Sequence, residues 1–209
     1  MLKLYYAPST VALAAHIALE EAGATYTQQL VDFKKDEQHS PEYLKVNPKG
    51  RVPALITDQG ILTETPPILY YIAQSFPEAR LAIANADSKF SFAEMQSFHS
   101  FLATSVHVAF AHIFRPARYG EGADTADRMR DKASSSIDVF FSMIEQKLSH
   151  GRPFVHGDQF TVTDPYLLVF TRWNDRAALG PIDRFPLIAA HRRRIEARPS
   201  AQKVLAKEK

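Results

Sequence analysis

Three short stretches carry side chains that chemistry could use. Tyr6, Ser9 and Thr10 place three hydroxyls around the start of an expected helix. A thiolate bound there would meet a hydroxyl donor and the positive end of the helix dipole. Lowering a thiol pKa by about two units requires roughly 2.7 kcal/mol. A hydrogen bond to a charged group contributes about 1.5–3 kcal/mol and the dipole about 0.3–1. The same residues also suit plain helix capping. Glu64-Thr65 opens a second helix. A threonine hydroxyl and amide at that terminus can hold a carboxylate, and Glu64 can accept from an ammonium group, so the pair suits an α-amino acid end as well as a cap. Arg51-Val52-Pro53-Ala54 precedes an apolar strand. Pro53 cannot donate to a sheet ladder, so it starts the strand or lies at an edge. A cis bond would free the Val52 backbone for an extended peptide-like ligand, and a trans turn is the plainer alternative.

Composition excludes several other chemistries. The 209 residues contain no cysteine, so a catalytic cysteine, a disulfide framework and a thiolate metal site are all ruled out. Any thiol chemistry must use a sulfur brought in by a ligand. His107 and His112 are five apart, which is off one helix face, and there is no H-E-x-x-H motif, so no metal is expected. No G-x-G-x-x-G or phosphate loop occurs. A net charge of +2 does not argue for nucleic acid. The run His191-Arg192-Arg193-Arg194 fits a solvated helix face better than a phosphate patch. The opening residues lack a signal-peptide pattern and no apolar run reaches membrane-spanning length, so a cytoplasmic location is expected.

The elements that must position these residues have two textures. Over residues 1–80, strand and helix patterns alternate. Leu2–Tyr6 reads as a buried strand, Thr10–Ala22 as a helix ended by Gly23, and Tyr26–Val31 as a strand. Val52–Thr57 and Ile61–Thr63 form a hairpin across Asp58-Gln59-Gly60. Thr65 caps the next helix, with Pro66 at its start and Pro77 at its exit. From residue 87 to 209 only helix patterns recur, near Asp87–Phe114, Thr125–Ser149, Thr161–Ala178 and Pro186–Ala197. Thr161 and Asp164 have capping-box spacing, and Arg198-Pro199 closes the last helix. The division falls near Ala79–Ala86, with Ala82–Ala86 as a linker.

The stretches LYYAPST, NPKGRVPAL, ILTETPPILYYIA, GDQFTVTDPYL and RIEARPSA occur in one order along nearly the whole chain. In that combination the sequence resembles the cytosolic glutathione transferases. The resemblance implies a thioredoxin-like α/β domain, an all-α helical domain, a homodimer and glutathione as co-substrate. It implies a cis Pro53, pairing of Val52 with the glutathione backbone, and Glu64-Thr65 on the γ-glutamyl end. It casts the Thr161–Asp164 box as a folding motif.

The nearest class is the bacterial beta class, whose cysteine position is Val11 here. Thr10 matches the serine of the delta class. It is therefore the first choice for the thiol-activating hydroxyl, with Ser9 and Tyr6 as fallbacks. Lys35, or equally Lys34, matches a lysine that pairs with the glycyl carboxylate, and His107 matches a histidine facing the site. His107, Phe110, Ala111 and Phe114 share a helix face. That helix walls the electrophile pocket in the family, which makes Phe110 and Phe114 pocket candidates. Arg115 and Arg118 would favour an anionic substrate if they are not simply solvated. The implied activity is conjugation of glutathione to small hydrophobic electrophiles. A glutathione-dependent isomerase or peroxidase, or a non-catalytic binding protein of the same fold, is the alternative.

Overall fold

The computed structural model describes residues 1–83 and 89–208. Strand β1 (Leu2–Tyr6) is followed by helix α1 (Ala12–Glu21) and strand β2 (Tyr26–Leu30). β1 and β2 pair in parallel, as a helical crossover allows. Two 3₁₀ turns and the short helix α2 (Pro41–Leu44) lead to β3 (Ala54–Ile56) and β4 (Ile61–Thr63). These form an antiparallel hairpin on the other side of β1, so the sheet order is β2-β1-β3-β4. Helix α3 (Thr65–Ser75) follows at once.

Helix α1 is buried from Ala12 to Leu19. It packs on β1, α3 and two later helices, so it has no solvent face to keep polar. Its four alanines within that stretch let all these partners approach closely. Its end is as expected: Gly23 has φ +62, and the Ala24 amide reaches back to the Leu19 carbonyl. Its start is later than expected. The cap position is Val11, without a side-chain hydrogen bond.

The rest is helical. α4 (Lys89–Phe101), a π-helical turn (Leu102–Val106) and α5 (His107–Phe114) make one continuous run. The wide turn ends at His107. π segments are rare and often sit at functional positions. α6 (Ala123–Leu148) turns Ala133, Ile137, Phe141, Ile144 and Leu148 inward, a spacing of four, four, three and four. α7 (Thr163–Arg176) is almost wholly buried. α8 (Pro186–Glu196) follows, and then α9 (Pro199–Leu205), which the sequence reading missed. Pro199 does not only stop α8; it takes the first turn of a new helix, where proline lacks no needed donor. The expected linker Ala82–Ala86 falls mostly outside the described residues. None of the described helices is long and apolar enough to cross a membrane.

Asp164 organises the start of α7. Its fully buried carboxylate accepts from the Val155 amide (3.0 Å), the Thr161 amide (2.7 Å) and hydroxyl (3.2 Å), and His191 Nε2 (2.9 Å). Thr161 Oγ1 in turn receives the Thr163 amide, so the capping box is present. The basic run on α8 is only in part the solvated face expected: Arg193 and Arg194 are exposed, Arg192 is half-buried and His191 is buried. His191 is buried on Asp164, Arg192 pairs with Asp175 and Glu196, Arg193 with Asp183, and Arg194 donates to the Pro153 carbonyl.

Candidate active site

The start of α3 has unusual donor chemistry. Thr65 is its first residue, not its cap; the cap is Glu64, held at φ +72. A non-glycine residue there costs on the order of 1–3 kcal/mol, a strain that recurs at functional sites. Pro66 and Pro67 have no N–H, and the Ile68 amide is bonded to the Glu64 carbonyl (3.2 Å). The Thr65 amide is therefore the donor left at the positive end of the dipole, beside a buried threonine hydroxyl. Lys49 Nζ lies 2.5 Å from Glu64 Oε1 and 2.9 Å from Thr63 Oγ1. Glu64 is thus engaged by a lysine of the chain itself, in an exposed ion pair.

The Val52–Pro53 peptide is cis. Just before it, the Arg51 carbonyl accepts from the Tyr43 hydroxyl and the Asn47 side-chain amide, each at 2.6 Å. Two side chains therefore fix the entry into this segment.

His107 stands at the start of α5 in the helical part. Its ring packs on Trp173 (5.1 Å) and Phe170 (6.0 Å). Burial pushes its pKa down to about 4, with the charges of Arg51 and Arg118 acting in the same direction and Glu64 opposing. At neutral pH it is a neutral imidazole with one donor and one acceptor. Tyr166, its pKa raised first by burial, also feels Glu64.

The turn before α1 is clamped. Ser9 has φ +56. Its amide donates to Glu208 Oε2 (2.5 Å), and its carbonyl accepts from Trp173 Nε1 (3.1 Å) and Arg176 Nη1 (2.9 Å). Thr10 Oγ1 donates to the Ala7 carbonyl (2.6 Å) and receives the Ala12 amide (3.3 Å). The hydroxyl chosen for the sulfur thus has its one proton committed, and must rotate to give it to a ligand. The Tyr6 ring lies on His16 (5.3 Å), which feels Lys207, Glu20 and Lys203, charges of α1 and of the segment from α9 onward.

Other candidates are dispersed. Lys35 is exposed and pairs with Asp32 at 3.6 Å, while the Lys34 amide is bonded to the same carboxylate. Phe110 is fully buried among Phe114, Phe141, Phe170 and Trp173, so it is a core residue and not a pocket wall. Its three-four spacing fits either role. Phe114 is partly exposed and carries the Arg176 guanidinium over its face at 4.8 Å. Arg115 and Arg118 are exposed in the turn after α5. Lys49, Trp173, Arg176 and Glu208 were missed; none carries a sequence signal, since each acts through a partner distant along the chain.

Comparison with known proteins bears on this arrangement. Residues 1–74 match the family model for the glutathione S-transferase N-terminal domain, and residues 87–199 match that for its C-terminal domain. The chain belongs to the glutathione S-transferase family. Its α/β part is thioredoxin-like and is followed by the family's all-helical domain. A curated relative, glutathione S-transferase GstA of Escherichia coli O157:H7, is 33% identical over 99% of this chain and 98% of its own. A glutathione transferase homologue from Sulfitobacter, solved with bound glutathione, superposes with a TM-score of 0.90 at 36% identity over 99% of this chain and 98% of that one. A bacterial beta class enzyme from Sphingomonas chungbukensis gives 0.84 at 33% identity, again over 99% and 98%.

Proposed function

We propose that this family member conjugates the thiolate of glutathione to small hydrophobic electrophiles, binding glutathione along Val52–Pro53 with its γ-glutamyl end at Glu64 and Thr65. The observation that carries the reading is the start of α3. One free amide and a hydroxyl at the positive end of a helix suit a carboxylate, and Glu64 beside them suits the neighbouring ammonium, which would displace Lys49. His107, neutral and held by Trp173, is the group that the helical domain contributes. Thr10 serves the sulfur with its hydroxyl after rotation, and Ser9 and Tyr6 are the lesser candidates. Phe114 and Arg118 border the electrophile side. Lys35 or Lys34 reaches the glycyl carboxylate only by leaving Asp32.

The glutathione-binding part is taken as residues 1–80 and the electrophile-binding part as residues 87–209. A homodimer in the cytoplasm is the expected state, on family grounds. The test is conjugation of glutathione to a chloro-dinitrobenzene, with calorimetry of glutathione binding on the same sample. Turnover above the uncatalysed rate is expected. Binding without turnover would point to a narrow-specificity enzyme or a carrier. Absence of both would refute the proposal.

A further inference from the structure

Three groups from distant parts of the chain converge on one residue of the α1 turn. Glu208 holds the amide of Ser9, and Trp173 and Arg176 hold its carbonyl. Ser9 is thereby kept in the left-handed region, where a residue with a side chain persists only if its surroundings fix it. The Ser9–Thr10 peptide is trans, so its N–H points opposite to its carbonyl. A carbonyl drawn toward α7 turns the Thr10 amide away from α7, at the start of α1. That amide makes no backbone hydrogen bond among the described residues, whereas the Ala12 amide is taken by Thr10 Oγ1 and the Thr10 hydroxyl proton by Ala7. The same Trp173 ring lies 5.1 Å from His107. One side chain therefore ties the α1 turn to the group contributed by the helical domain.

We infer that Glu208, Trp173 and Arg176 are positioning residues that aim the Thr10 amide at the glutathione sulfur, so that the thiolate is held by a backbone donor as well as by a hydroxyl. The inference rests on the proposed glutathione site. It accounts for two features that a simple cap leaves without a purpose. One is the strained Ser9. The other is a side-chain hydroxyl whose proton is already engaged.

The experiment is a titration of the thiolate absorbance of enzyme-bound glutathione, at saturating glutathione, in the parent and in Glu208→Ala, Glu208→Gln, Trp173→Phe and Arg176→Ala. In the parent the bound thiol should titrate below free glutathione. Glu208→Ala and Trp173→Phe should raise the bound thiol pKa by about half a unit or more, which is about threefold less thiolate below that pKa. The glutathione KM should change less than this. Glu208→Gln keeps an acceptor oxygen and should restore most of the shift. A merely structural role would lower the melting temperature and leave the thiol pKa alone. If Glu208→Ala does not fold, Trp173→Phe and Arg176→Ala test the carbonyl side in the same way. A bound thiol pKa within about 0.1 unit of the parent in the folded variants overturns the inference. A parent thiol no more acidic than free glutathione overturns the site chemistry beneath it, a result distinguishable because it needs no variant.

Discussion

Replacing Asp164 with Ala removes the acceptor for four donors at once: the Val155 amide, the Thr161 amide and hydroxyl, and His191 Nε2. The site is closed to water, since Asp164 and Thr163 are fully buried and Thr161 and His191 nearly so. The Thr161 hydroxyl can turn to another partner, but the three N–H groups cannot. Each buried donor left unmet costs about 1–3 kcal/mol. Water entering the space left by the carboxylate recovers part of this, so about 4 kcal/mol is the expected loss, in the range for breaking a buried charged network. That is a large part of a typical total of about 5–15 kcal/mol. For a chain of this size it corresponds to a fall in Tm of roughly 8–16 °C. The assay is urea unfolding together with calorimetric melting, at one fixed protein concentration because subunit association would shift the midpoint. Asp164→Asn keeps the size and one acceptor oxygen and should lose about half as much. A loss below about 1 kcal/mol in Asp164→Ala would show that the network is incidental to stability.

Acid should destabilise the fold through buried histidines. His99 is lowered to about 3 and His16 to about 4, both first by burial. The unfolded chain then binds more protons than the native one, so their stability is complete above about pH 6.5 and is lost as pH falls toward about 4 for His16 and about 3 for His99; each contributes up to about 1.4 kcal/mol per pH unit in its window. Melting temperature against pH should fall less steeply in His99→Gln. Phe110→Ala should cost about 3–5 kcal/mol by urea unfolding, because the ring is fully buried. Phe114→Ala should cost less and raise the electrophile KM, measured against electrophiles of increasing size. Lys49→Met removes an exposed pair and should change stability by less than about 1 kcal/mol, a larger loss in thermal melts showing that the pair organises the α3 terminus.

The alternation of strand and helix signals up to residue 80, and its absence afterwards, are local properties, and they predicted the order of the main elements. Gly23 ends α1 as its lack of a Cβ allows. The Thr161–Asp164 spacing marked a cap that the structure contains. Two local readings misled. Pro199 stops one helix and starts another, and proline suits both positions. Thr65 looked like a cap, but it is the first helical residue and the cap position is Glu64; Thr10 does hold the Ala12 amide with its hydroxyl, although the residue at the cap position is Val11.

The sequence by itself determined that any thiol must come from a ligand, that an amino acid end could be met at Glu64-Thr65, and that a helical part follows an α/β part. These follow from residue type and short spacing, which act without knowledge of the fold. Only the tertiary structure decided which stripe on α5 is core, why the arginines of α8 are paired, and how Ser9 is held. Each depends on partners far away in sequence: Phe110 on Phe141 and Phe170, Arg192 on Asp175, Ser9 on Trp173 and Glu208. Packing brings such residues together to bury apolar surface on α1 and α7, and no local pattern records that encounter.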